Sequence, residues 1–226
     1  MNVHVTPLGT LGLGLLVWTA FAAVDTRLPS GAVQVAQAQT PAPAAAGTQS
    51  ASPAQADADS LQRKLEAIVR FGAIPRLETL ATPLLEREVN AYVMAYLVHD
   101  LPAGVTRPRV EIVGDTVLAG SVVLDMDAYR ASRPPVEGFD PLALLSGRLT
   151  ARVRGRLITS DGVGRFELDQ ADLGGIPLPR ALVQQLLTHY SRSADQPDGI
   201  RIDQPFDLPV SIREIRVQPR EAVVVQ

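Results

Sequence analysis

Early in the folded part of the chain the apolar residues recur every three to four positions; further on the period drops to two. Over residues 60–71, Leu61, Leu65, Ile68 and Val69 share one helical face, with Ser60 placed to cap it and Gly72 and Pro75 to stop it. A second helix is predicted to open at Thr82-Pro83, a capping residue followed by proline at the first helical position, and to reach about Val98. Its apolar stripe is Leu85, Val89, Tyr92, Val93 and Tyr96. A third is predicted over residues 179–191, with Leu182, Val183, Leu186, Leu187 and Tyr190 on one side.

Period-two segments predict strands. Residues 109–113 and 116–124 read as a hairpin turned at Gly114-Asp115. The clearest strand is residues 149–159, where Leu149, Ala151, Val153, Gly155 and Leu157 alternate with Thr150 and the row Arg148, Arg152, Arg154 and Arg156. Ser160-Asp161-Gly162-Val163-Gly164 turns the chain into residues 165–173, in which Phe166, Leu168 and Gln170 alternate. Residues 211–217 and 222–225 form a last pair, turned at Gln218-Pro219-Arg220-Glu221. One polar and one apolar side per strand indicate an antiparallel sheet with a single core face, and the helices around it make the class α+β. A short echo links Leu101-Pro102-Ala103-Gly104-Val105 with Leu208-Pro209-Val210-Ser211-Ile212; each precedes a hairpin.

The first 59 residues read differently. Residues 8–24 carry no charge and are mostly Leu, Val, Ala and Gly, between a signal-peptide core and a minimal membrane helix in length. Small-x-small sites follow at Ala20-Phe21-Ala22 and Ala36-Gln37-Ala38; cleavage after Ala38 gives a signal peptide of residues 1–38, and an uncleaved anchor is the alternative. Residues 39–59 lack Leu, Ile, Val and aromatics, so they read as a disordered Ala/Pro/Gln linker. The division is a signal segment, a linker, and a single α+β domain over residues 60–226, in a protein exported to the periplasm or cell envelope.

Composition narrows the chemistry. There are no cysteines, hence no disulfides and no cysteine-bound zinc. Residues 60–226 hold 21 acids and 20 bases, a balance that gives no general attraction to nucleic acid or an anionic surface. Lys64 is the only lysine. Only His99 and His189 lie in the domain, and no G-x-S-x-G turn presents a serine, so neither a hydrolytic triad nor a metal centre is indicated. Asp125 and Asp127, two apart at a strand end, are a candidate carboxylate pair, or a cap for the following turn. Asp161-Gly162-Val163-Gly164 has too few oxygen ligands for a calcium loop and reads as a turn. Arg152, Arg154 and Arg156 are the anion-binding candidates, since guanidinium forks match phosphate and carboxylate; the alternative is a solvated sheet face answered by acids such as Glu167 and Asp169. No aromatics interleave with them, which argues against nucleic acid.

Phe206-Asp207-Leu208-Pro209-Val210-Ser211-Ile212-Arg213-Glu214-Ile215-Arg216-Val217, followed by a hairpin into Ala222-Val223-Val224-Val225, resembles the closing strands of LmeA/YpmS-like exported bacterial proteins. Residues 82–92, with Glu88-Val89-Asn90-Ala91-Tyr92, resemble a helix start in the same proteins. The resemblance implies one half of a TULIP-type lipid-binding fold, a curved antiparallel sheet gripping a helix. It implies a lipid or isoprenoid-like ligand between helix and sheet, with Tyr92, Tyr96, Leu182, Leu186 and Tyr190 as wall residues. No cofactor and no metal are implied, nucleic acid is not an expected partner, and the membrane is met only through an uncleaved N-terminal segment. A structural or protein-interaction module of the envelope is the alternative, and an enzyme of unrecognised type the third reading.

Overall fold

Helix α1 spans Pro53–Gly72, capped by Ser52, whose Oγ accepts from the Gln55 N–H at 3.2 Å, with Pro53 at the first helical position. The computed structural model describes residues 52–74, 78–132, 145–190 and 197–226, with only the backbone of His189 and Tyr190. The apolar segment, both cleavage sites and residues 39–51 of the expected linker lie outside the described residues. The helix begins ahead of the expected Ser60 and takes in residues 53–59. Alanine is the strongest helix former, and Ala58, read from composition as linker, is fully buried in line with Leu61, Leu65 and Ile68.

Thr82-Pro83 does not start a helix. It lies in strand β1, Ala81–Leu85, which pairs antiparallel with β9, Glu221–Val225, placing Ala81 opposite Val225. Pro83 is tolerated because β1 is an edge strand, and its carbonyl accepts from Lys64 Nζ at 2.7 Å. Helix α2, Glu86–Tyr92, follows directly and runs on as a π-helical turn, Val93–Leu97, and a 3-10 turn, Val98–Asp100.

Strands β2, Val105–Gly114, and β3, Val117–Asp125, form the expected hairpin, one residue later than predicted. Its turn residues Asp115 and Thr116 both have positive φ, 50° and 68°, as a two-residue hairpin loop requires. After the short helix α3, Met126–Ala131, come β4, Arg148–Ser160, and β5, Val163–Leu173, joined at Asp161-Gly162. The two-residue strand β6, Ile176–Pro177, leads into helix α4, Arg180–Tyr190; β7 is Phe206–Asp207 and β8 is Glu214–Gln218.

Two antiparallel sheets result, where one was expected. The larger has the order β2-β3-β4-β5-β6 with β7 also on β5; the smaller has the order β1-β9-β8. They are tied together where Thr159 Oγ1 donates to the Ile215 carbonyl at 3.1 Å and accepts from its N–H at 2.8 Å. The Arg220 N–H adds a bond to the Ile112 carbonyl at 2.7 Å. The echo has a shared geometry: the Val105 N–H bonds to the Pro102 carbonyl and the Ile212 N–H to that of Pro209, at 3.0 and 3.1 Å.

The main core lies under α1. Leu61, Leu65 and Ile68 meet Leu84, Val89, Ile112, Leu118, Leu157, Ile215 and Val224. A second cluster of Val122, Leu124, Met126, Ala151 and Leu173 fills the far end of the larger sheet. Strand β5 carries a bulge: Gly155 pairs with Leu168 but Arg154 with Gln170, leaving Asp169 extra. The expected alternation therefore breaks, and Gln170 is exposed while Ala171 and Leu173 turn inward.

Candidate functional site

The outer face of the larger sheet holds a shallow groove of about 270 Å³, lined by Arg109, Glu111, Ala119, Gly120, Ser121, Arg152, Val153, Arg154, Gln170 and Asp172. Register explains it. Ser121 sits between Arg109 and Arg152, and Ala119 between Glu111 and Arg154. β3 thus contributes a floor of small side chains between two strands of long ones. A register shift in β2 between Thr106 and Arg109 flanks the groove on one side, and the β5 bulge flanks it on the other.

Charge along β4 is answered unevenly. Arg148 reaches Asp125 at 3.2 Å, and Arg156 reaches Asp169 at 3.1 Å and Glu167 at 3.5 Å. Arg152 is 3.4 Å from Asp172, which is nearly buried and also accepts from the Gly175 N–H. The side chains of Arg154 and Arg109 make no hydrogen bond or ion pair among the described residues. Of the three anion-binding candidates, the structure places Arg152 and Arg154 in the groove and engages Arg156 with acids beside it. Arg109 is the member that the β4 pattern alone did not reveal; only its register with Ser121 brings it in.

The five expected wall residues fall in two places. Tyr92 packs on the main core, and its ring lies 5.0 Å from that of Tyr96. The Tyr96 hydroxyl donates to Asp59 Oδ1 at 2.6 Å, and Gln55 Nε2 donates to the same carboxylate at 2.8 Å. The Tyr96 bond, then that of Gln55, holds the Asp59 carboxyl below the usual range, and the same bond pushes the Tyr96 hydroxyl up. These tyrosines join α2 and its π turn to α1. Leu182 and Leu186 are instead on α4, which packs on β5. With Val183 and Leu187 they are only half-buried and belong to neither core cluster. The side chain of Tyr190, like that of His189, lies outside what is described.

The remaining candidates have local roles. Asp125 Oδ1 caps α3 by accepting from the Ala128 N–H at 3.0 Å; that bond, then the one from Arg148, lowers its pKa. Asp127 pairs with Arg130 and accepts from the Gly147 N–H at 3.2 Å. His99 is exposed on the 3-10 turn, and Asp161-Gly162 is the tight turn between β4 and β5. Among the described residues no three His, Asp or Glu side chains gather as a metal centre needs, and no helix is long and apolar enough to cross a membrane.

The helix-start segment turns out to be a clasp. Glu88, almost fully buried, accepts from Ser60 Oγ at 2.7 Å, from Lys64 Nζ at 2.7 and 2.9 Å, and from the Leu85 N–H at 3.1 Å. Burial raises its pKa, but the bonds from Lys64, Leu85 and Ser60 together outweigh it and the carboxyl is held down. Asn90 exchanges two bonds of 2.8 Å with the Val110 backbone, and Glu86 Oε2 accepts from the Ile112 N–H at 2.8 Å. These side chains close the free edge of β2. Comparisons with family models, with curated proteins and with solved structures find no match for the chain.

Proposed function

We propose that this chain is an exported, non-catalytic binding protein of the cell envelope that takes up an apolar ligand, lipid or isoprenoid-like, between α4 and the sheet. The observation that carries this reading is the state of α4. A helix with four aliphatic residues on one stripe ordinarily buries them, yet Leu182, Val183, Leu186 and Leu187 stay half-buried and join neither core. A surface of that kind suits an apolar guest. The resemblance to LmeA/YpmS-like proteins, with their TULIP-type curved sheet around a helix, supports the same reading. Tyr92 and Tyr96 drop out of the proposed wall because α1 engages them. Export rests on the apolar run of residues 8–24 and the small-residue sites after it.

Leu186→Asn tests it with a fluorescent fatty acid. Because Leu186 keeps part of its surface exposed and belongs to neither core cluster, the change should cost less than the roughly 2–5 kcal/mol of a close-packed leucine, while probe binding falls at least about tenfold. A wild-type protein that binds no probe, or a stability loss of about 2–5 kcal/mol as in a close-packed core, would reject the carrier. The structural or protein-interaction module would then be the better account.

A further inference from the structure

We infer that the arginine-walled groove on the outer face of the larger sheet is a phosphate-binding site, for the phosphate group of a small soluble molecule or of a lipid headgroup. The groove presents donors from three sides of one small floor. Arg109 stands on β2, Arg152 and Arg154 stand on β4, and Ser121 lies between them on β3. β2 and β4, each next to β3, are about 10 Å apart at ordinary strand spacing. Two arginine side chains leaning over Ala119 and Ser121 therefore converge on one guest. Donors arriving from several directions suit a tetrahedral oxyanion with three or four oxygens better than a planar carboxylate with two.

The charge pattern points the same way. The two ends of the β4 row are satisfied by Asp125 and by Glu167 and Asp169, whereas in the middle Arg154 and Arg109 lack a partner among the described residues. Arg152 shares only a long contact with Asp172. Three guanidinium groups face two carboxylates, Glu111 and Asp172, within the groove, an excess of one positive charge. Neither Ser121 Oγ nor the Gln170 amide is engaged by protein among the described residues, which leaves neutral groups for oxygens or hydroxyls of the guest. The volume of about 270 Å³ admits a phosphate with a few attached atoms, not a long chain. No aromatic side chain lines the groove to stack a base. Bulges accumulate beside binding sites because they re-aim side chains. Here a register shift precedes Arg109, and the β5 bulge sets Gln170 on the outer face.

The test uses the full chain at low ionic strength. Inorganic phosphate is titrated by calorimetry, and vesicles of phosphatidylglycerol or of phosphatidylcholine are sedimented with the protein. Arg109→Gln and Arg154→Gln should each weaken phosphate-dependent binding by about fivefold or more, as expected for partly exposed charge-assisted bonds. Glu111→Gln, which removes a repelling carboxylate, should strengthen it. Arg63→Gln, on the exposed side of α1, should change nothing. Arginine-dependent binding of free phosphate upholds the site with a soluble ligand. Arginine-dependent sedimentation with phosphatidylglycerol but not phosphatidylcholine vesicles upholds it with a lipid headgroup. Absence of arginine-dependent binding to either probe, or equal losses in Arg63→Gln, overturns it. The fatty-acid probe at α4 is unaffected by these variants, so either proposal can fail alone.

Discussion

Replacing Gly72 by alanine should destabilise the domain although it removes a glycine from a helix. A Cβ on Gly72 would stand 1.9 Å from the Val210 carbonyl oxygen, 2.7 Å from its carbon and 2.9 Å from Gln226 Nε2, against a floor of 3.0 Å for real Cβ contacts. The two nearest atoms are backbone, so the end of α1 and the segment around Val210 must part by about 1 Å. Three bonds hold that seam, two of them reaching α1 and one joining Val210 to Gln226, whose amide the new Cβ also crowds. Gln226 Nε2 donates to Val210 and Ile68 carbonyls at 2.7 and 3.0 Å, and Ser211 Oγ donates to the Gly72 carbonyl at 3.2 Å. At about 1 kcal/mol each their loss costs about 3 kcal/mol, and alanine's better helix propensity returns up to about 1 kcal/mol. A net loss of about 2 kcal/mol lowers the melting temperature by about 4–8 °C in a domain of this size. Calorimetry on the single variant and on Gly72→Ala with Gln226→Ala checks both the loss and its origin. The second change should add little in the variant background, because its bonds are already broken. A melting temperature within about 1 °C of wild type would refute the close approach at this seam.

Two further outcomes follow from residues in and beside α1. Glu88 has a folded pKa below its unfolded value of about 4.3, so its contribution is present above that value and lost as pH falls through the folded one. Glu88→Gln should cost about 1–3 kcal/mol at pH 7, and urea unfolding should show the gap to wild type narrowing as pH falls below the unfolded value; a gap unchanged with pH would count against the clasp. Chains beginning at Gln39 and at Ser52 should melt together, since residues 39–51 offer no large apolar groups. One beginning at Ser60 loses buried Ala58, the Asp57–Arg87 pair at 3.2 Å and the Asp59–Tyr96 bond, and should melt about 5 °C or more lower; equal melting of all three chains would contradict the observed start of α1.

Local pattern was enough for β4, for the hairpin turns and for the leucine face of α4, because each depends on neighbours within a dozen residues. It misread Thr82-Pro83, where a capping residue and a proline fit a helix start and an edge strand equally well. The deciding fact, that β9 needs a partner, sits at the other end of the sequence. The Ser52-Pro53 cap was visible but hidden in alanine-rich surroundings that read as linker. For the candidate groove the arginine row of β4 was legible, while its depth was not. That depth depends on Ala119 and Ser121 facing the same way and on Arg109 falling into line across a shifted register. Asn90 stands in the segment that carries the family likeness, and only the fold shows that it and Glu86 serve the backbone of β2.

The seam between α1 and the last residues also governs the order in which the chain folds. Gly72 and Ser211 are 139 residues apart and Ile68 and Gln226 158, while α2 meets β2 across only 20 to 26. The short loops close first, so α2 and the β2–β3 hairpin form an early unit. Leu61, Leu65 and Ile68 receive Ala222 and Val224 as core partners only when β9 arrives. Until then the stripe is covered only by the earlier part of the same core, Val89, Ile112, Leu118 and Leu157. β8 and β9 are joined by Pro219-Arg220 alone and close as a local hairpin, so the expected late event is the docking of that hairpin, through β9, against β1 and the end of α1.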